Sequence, residues 1–247
     1  MQLSLDNVYI SARLQKKLDR IPMYPLTTVV APAGYGKTTA VRWFREGLSK
    51  ACMVLRLNVL GGGLNEFWRD FAELIGREAG ASFSETLLKM GPPLDTTTQR
   101  EFLRKIHELA PARETYLFVD DYHLVEGEMM TGFVLFISRN LPKHIHVVLI
   151  SRIAVLSIRD RLLLSGRVNE IEEGDLRFDA QDIGNYFAQC GYPISSEDIS
   201  HLIYISGGLG GGTVPKSCFL CGYGEILGLW GYPHHDGDDF VRAIASR

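Results

Sequence analysis

Cysteine is scarce: Cys52, Cys190, Cys218 and Cys221 are the four in 247 residues. That is too few for a disulfide framework in a chain of this size. Cys218-x-x-Cys221 has the spacing of half a zinc or redox site, but no second Cys pair or His pair stands at ligand spacing. Neither sign of charge is in excess, since 26 Lys and Arg against 29 Asp and Glu leave a net charge of −3, which makes no electrostatic footprint for nucleic acid. No apolar run approaches the ~18 residues needed to span a bilayer. The first residues, M-Q-L-S-L-D-N, lack the basic segment and apolar core of a signal peptide. The expectation is a cytoplasmic protein with no membrane partner. The 46% hydrophobic and 22% charged residues make an ordinary globular composition, long enough for one α/β domain plus an appendage.

A glycine is also missing at one telling place. Leu26 to Thr39 reads L-T-T-V-V-A-P-A-G-Y-G-K-T-T, with Ala31 where the phosphate-loop pattern G-x-x-x-x-G-K-[ST] opens on Gly. The rest of the stretch still reads as strand, loop and helix: a β-branched apolar run, a turn of small residues, then Ala40-Val41-Arg42-Trp43-Phe44. A loop that wraps a triphosphate must aim successive backbone N–H groups inward, and Gly34 and Gly36 supply conformations and close approach that a Cβ would block. The following helix offers its positive N-terminus to a phosphate. This makes Ala33, Gly34, Tyr35, Gly36, Lys37, Thr38 and Thr39 a candidate loop for nucleotide phosphates, with Lys37 on the β/γ-phosphates and the Thr38 hydroxyl on Mg²⁺, the alternative being a Gly-rich strand–helix turn with a surface lysine.

Alternating strands and helices follow. Ser11–Leu18 reads as a short amphipathic helix, either covering an adenine or packing on the sheet edge, and ended by Pro22 and Pro25. Thr38–Leu48 is a helix, Cys52–Leu57 a strand, and Asn65–Ile75 a helix whose Phe67, Phe71, Leu74 and Ile75 are core at helical spacing. Thr97–Leu109 is a further helix. Thr115-Tyr116-Leu117-Phe118-Val119 is the continuous apolar run of a strand buried on both faces, ending in Asp120-Asp121 at the edge where open parallel sheets bind ligands. Asp120 there would hold Mg²⁺ through its water shell. Asp121 either orients or deprotonates an attacking water or serves as a turn or helix cap. His146–Arg152 is a fourth strand, and Arg152 at its end either senses the γ-phosphate or pairs with a carboxylate. Arg159–Leu164 reads as a helix and Val168–Ile171 as a last strand. Asp179 caps a new helical unit from about residue 175. The fold expected is α/β: a parallel sheet with helices on both faces over residues 1–174, then the start of a small helical lid over 175–207.

A-P-A-G-Y-G-K-T-T, L-F-V-D-D-Y-H-L-V, V-V-L-I-S-R and D-L-R-F-D-A-Q-D-I, in that order, resemble the ATPase module of the large MalT-like, LuxR-type transcriptional regulators, signal-transduction ATPases of the STAND class. The resemblance covers about residues 8–208, and Ala31 is normal for that family. It implies an ATP/ADP switch with slow hydrolysis, in which Asp120 and Asp121 handle Mg²⁺ and water and Arg152 is the sensor. Self-association in the ATP state and DNA binding are implied for a full-length relative, the latter through a domain that this chain does not carry. A stand-alone P-loop enzyme such as a small-molecule kinase, and an inert nucleotide-binding fragment, are the alternatives. A kinase would need an Arg-rich lid, and the stretch after Arg152 offers Arg159, Arg161 and Arg167.

From Gly208 onward, glycines multiply and periodicity disappears, which sets the expectation of an aberrant tail over 208–247. Back-translating Leu209 to Ser217 and moving the reading frame by one base permits W-G-G-A-L-Y-L-N-L, a helix of the family's kind. A one-base slip near Gly208 would account for this, and a genuine Gly-rich tail is the alternative. The encoding DNA checks it: codons that permit the shifted reading are expected throughout 208–247, and codons that forbid it would sink the idea.

Overall fold

The structure is a computed structural model that describes residues 8–109, 113–125, 129–164, 166–191 and 194–205. The expectations for the first seven residues, for the tail from Gly208 with Cys218 and Cys221, and for a shifted frame lie outside these residues. The chain forms two compact units, one of 16–31 and 44–172 and one of 8–15, 32–43 and the residues from 173.

The larger unit is built on five parallel strands, β1 (Leu26–Val30), β2 (Met53–Asn58), β3 (Thr115–Asp120), β4 (Ile145–Ser151) and β5 (Val168–Ile171), in the order β2-β3-β4-β1-β5. Every residue of β3 from Thr115 to Val119 is buried, as is every residue of β4 from His146 to Ser151. Because side chains alternate between faces, unbroken burial means both faces are covered, and the sequence has to be apolar throughout rather than every second residue. This leaves polar residues to collect where the strands end. At the amino-terminal edge the His146 ring stacks on Tyr116 with centroids 4.9 Å apart, and its Nδ1 donates to Tyr24 O at 2.9 Å. Burial, then the charge of Glu114, push the Tyr116 hydroxyl up to about 12.

Ten helices are described: α1 (Ala12–Leu18), α2 (Lys37–Glu46), α3 (Leu64–Ala79), α4 (Ala81–Met90), α5 (Thr96–Leu109), α6 (Met129–Asn140), α7 (Ile158–Leu163), α8 (Glu173–Leu176), α9 (Ala180–Gln189) and α10 (Ser196–Ile205). The sequence reading assigned nothing to α4 or α6. In α6 the run F-V-L-F-I is apolar nearly all round, so its helical period is hidden, and five of its six buried residues are large and hydrophobic. The last turn of α1 is fastened to the edge strand: Lys17 Nζ donates to Glu170 O at 2.8 Å and Asn169 Nδ2 to Lys17 O at 3.0 Å.

The core of the larger unit is aromatic. Phe102 of α5 lies within 6.4 Å, ring centre to ring centre, of Trp68, Phe71, Phe133 and Phe136. The Trp68 indole, buried, finds its acceptor in Leu87 O at 2.9 Å, which also ties α3 to α4. The smaller unit has its own core of Phe178, Ile183, Tyr186 and Phe187. Phe102 borders a cavity of about 110 Å³ that is also lined by Leu55, Phe71, Leu117, Phe133 and Val147. Removing its ring enlarges a void that is already there instead of letting neighbours collapse, so Phe102→Ala is expected to cost about 4–5 kcal/mol, the upper part of the usual range. Urea unfolding of the variant beside the parent chain measures it.

Candidate functional site

The phosphate loop belongs to the smaller unit. Gly34 and Gly36 have φ of +86° and +74°, the left-handed region that a side chain disfavours. Tyr35 stands between them. The loop runs into α2 at Lys37, and Ala40 N donates to Gly36 O at 2.9 Å as the helix begins. The first-turn N–H groups of Lys37, Thr38 and Thr39 therefore lie at the positive end of a ten-residue helix dipole. Lys37 is buried, and its ammonium donates to Pro32 O at 2.8 Å, so its side chain folds back along the loop that precedes it. Thr38 is exposed and Thr39 half-buried. The structure thus gathers Gly34 to Thr39 into one continuous loop and helix start.

A second group occupies the carboxyl-terminal edge of the sheet, in the larger unit. In the strand order, β1 runs on to β2 on one side of the sheet, and its neighbour β4 runs on to β5 on the other. The gap between β1 and β4 is thus a topological switch point, where open parallel sheets bind ligands. Val30 pairs with Ser151 at that edge, and Ala31 N donates to Ser151 O at 3.4 Å before the chain leaves for the phosphate loop. Asp120 ends β3 opposite Asn58, its carbonyl accepts Val59 N at 3.1 Å, and its Oδ1 accepts the Asp121 amide at 3.0 Å.

Asp121 is, among the described residues, the one non-glycine residue with positive φ, at +52°. It occupies the cap position of a 3-10 turn, Tyr122–Leu124, without capping it by its side chain. Its Oδ1 lies 3.9 Å from Arg152 Nη2 and 3.8 Å from His123 Nδ1. The structure therefore brings Asp121 and Arg152 together, with both side chains at least 40% exposed. An exposed pair at that distance contributes about 0–1 kcal/mol and is readily exchanged for another partner. His123 Nδ1 is buried and makes no hydrogen bond. The sequence reading quoted His123 in D-D-Y-H-L but gave it no role, because nothing in the spacing shows that a 3-10 turn folds its ring back toward Asp121. Beside it, burial alone drives the Tyr122 hydroxyl far above its ordinary range. Ser151 Oγ donates to Ile153 O at 2.6 Å and accepts Ile153 N at 3.2 Å, fixing the turn that carries Arg152.

Residues 24–156, more than half of the chain, match the family described as AAA domain. The chain belongs to the AAA-domain family. This AAA-domain module is similar to the HTH-type transcriptional regulator MalT of two Klebsiella pneumoniae strains, at 30% identity over 213 residues, which cover 80% of the module and 22% of each relative. It thus spans about a fifth of the length of the curated relatives it matches. Among solved structures it is similar to the STAND protein with a tetratricopeptide repeat sensor, PH0952, from Pyrococcus horikoshii, with a TM-score of 0.52 and 14% identity over 83% of the module and 30% of that chain. It is also similar to the Aeropyrum pernix ORC1 protein, solved in complex with DNA, with a TM-score of 0.51 and 13% identity over 97% of the module and 66% of that chain. At such identity these likenesses concern fold alone, and the fold is the α/β fold of P-loop NTPases. The resemblance to MalT-like ATPase modules read from A-G-Y-G-K-T-T and D-D-Y-H-L agrees with the relatives found.

The left-handed backbone at Asp121 has a measurable consequence. Asp121→Gly, which meets no Cβ penalty there, is expected to leave stability within about 1 kcal/mol, whereas the β-branched Asp121→Val is expected to lose about 1–2 kcal/mol. Thermal unfolding of the two variants side by side separates backbone strain from loss of the carboxylate, because both lack the ion pair.

Proposed function

We propose that the AAA-domain module binds ATP and ADP with Mg²⁺ and hydrolyses ATP slowly, as the conformational switch of a MalT-like transcriptional regulator. The observation that supports this reading most is the loop itself: two left-handed glycines and a buried lysine run directly into a helix N-terminus, an arrangement that favours a polyphosphate over any uncharged ligand. In this reading Ala33 to Thr39 cradle the phosphates, Lys37 turns from Pro32 O to the β/γ-phosphates, and the γ-phosphate draws Arg152 away from Asp121.

The donor set suits Mg²⁺ rather than a softer ion. The Thr38 hydroxyl and the Asp120 carboxylate are hard oxygens, and Mg²⁺ is ordinarily held by one or two such side chains plus phosphate and water. Among the described residues no group of three or more His, Cys, Asp or Glu is placed to hold a metal by itself, so the ion would arrive with the nucleotide. Bound, it would neutralise charge developing on the phosphates. Asp121, freed from Arg152, would orient the attacking water.

A switch follows from such a site because a γ-phosphate can shift an equilibrium only by touching one conformation better than the other. Arg152, half-exposed and loosely paired, is suited to report it. Self-association in the ATP state and control of transcription belong to the proposal for a longer relative. No described helix is long and apolar enough to cross a membrane.

Titration of the full chain with Mg-ATP and with Mg-ADP by calorimetry tests the reading. Dissociation constants at or below about 1 μM, or 8 kcal/mol, are expected, with binding lost in Lys37→Ala. A folded chain that binds neither nucleotide would overturn it.

A further inference from the structure

Tyr35, at the tip of the phosphate loop, does not project from the loop unsupported. The Arg177 guanidinium carbon lies 5.7 Å from the centre of the Tyr35 ring, and Arg177 Nη2 donates to the Tyr35 hydroxyl at 3.4 Å. The same guanidinium is hydrogen-bonded to the Glu173 carboxylate, one turn earlier. Both contacts favour the charged form, and the Arg177 guanidinium is held above its ordinary range, first by the Tyr35 hydroxyl. All three side chains lie in the smaller unit, and all are half-buried.

Arg177 itself is placed by rigid surroundings. Its neighbours Leu176 and Phe178 are 0% and 1% exposed. The Phe178 ring meets Tyr9 edge-on at 5.4 Å and lies 6.2 Å from Tyr186. Arg13 donates to Arg177 O at 2.6 Å, and its guanidinium also pairs with Asp179 and Asp182, each at 3.4 Å. Asp179 and Asp182 form the reciprocal cap of α9. The backbone at 176–178 is therefore pinned from both sides, by a small core and by an ion-paired helix start. A guanidinium carried on such a base, already turned by Glu173, holds its direction at little entropic cost.

The loop it meets is the opposite kind of structure. Gly34 and Gly36 flank Tyr35, so the phosphate loop pays more backbone entropy to stay ordered than any other residue pair would require. The tyrosine ring is the large side chain between those glycines, and so a handle by which the loop's tip is held from outside.

We propose that Arg177 is a positioning residue for the phosphate loop: through the Tyr35 ring and hydroxyl, with Glu173 aiming it, it holds the Gly34–Gly36 tip in its phosphate-ready shape and couples that shape to the helical segment after β5. The coupling to nucleotide rests on the function proposed above, and the ordering of the loop does not. Movement of α8 and α9 would release Tyr35, loosen the glycines and weaken nucleotide binding, and bound nucleotide would in return favour the latched arrangement.

Hydrogen–deuterium exchange of a peptide spanning 31–43 in the full chain without nucleotide, and calorimetry with Mg-ADP, test this together. Arg177→Ala and Tyr35→Leu are each expected to speed exchange of that peptide and to weaken Mg-ADP by about 3- to 10-fold, the size of one partly exposed cation–π contact with its hydrogen bond. The double variant is expected to be no worse than either single one, because both break the same contact. Arg177→Lys, which keeps a cation over the ring, is expected to restore part of the protection. Exchange over 115–120 in β3 is expected to stay as in the parent chain, which a general loss of stability would not allow. Unchanged exchange at 31–43, or single effects that multiply in the double variant, would overturn the latch. If the parent chain binds no nucleotide while the exchange pattern holds, the latch stands and the nucleotide reading falls. If nucleotide binds and exchange is indifferent to Arg177, the reverse applies.

Discussion

Burial of β3 and β4 on both faces is the constraint from which the rest of the larger unit follows. Alternation of polar and apolar side chains is not available to a strand covered above and below, so Tyr116 to Val119 and Val147 to Ile150 are all buried and apolar. The polar chemistry has to wait for the strand ends, and at the carboxyl-terminal ends stand Asp120, Asp121, Ser151 and Arg152. Because parallel strands must be joined by crossovers, every strand also delivers its following loop to that same edge. The aromatic cluster of Trp68, Phe71, Phe102 and Phe133 covers the sheet and makes that arrangement rigid.

The two groups of candidate site residues differ in how they are held. The phosphate loop depends on backbone: left-handed glycines, a helix start, and a lysine tucked against Pro32 O. The sheet edge depends on side chains that are loosely engaged, with Asp121 3.8 to 3.9 Å from both its basic neighbours. In the proposed function the loop would supply affinity common to both nucleotides, while weakly paired groups at the edge would change partner at small cost. Asp121 in left-handed backbone fits this picture, since an unfavourable conformation at a ligand edge is usually retained for what the side chain reaches.

In the smaller unit a segment far along the chain touches the loop. Residues 173–189 form two short helices whose cap, core and ion pairs serve to fix one backbone stretch, Leu176 to Phe178. Tyr35, Arg177 and Glu173 then form a continuous chain of contacts from α8 to the loop tip. The two MalT relatives are several times longer than this module.

Much was legible without coordinates, and for definable reasons. Strand, loop and helix at Leu26–Thr39, the apolar run ending at Asp120, and the Asp179 cap are local features in which each residue's role follows from its immediate neighbours, so sequence determined them. Helix α6 escaped, because a segment buried nearly all round has no polar face to mark its period. The strand order, and with it the switch point beside β1, was settled by packing, since crossovers of similar length can reach several positions in a sheet. The same holds for the Arg152–Asp121 pair, 31 residues apart in number, and for Arg177 on Tyr35, 142 apart. No periodicity or spacing encodes which distant side chains share a few ångströms of space; that is decided when cores close and fix where each backbone carries its Cβ.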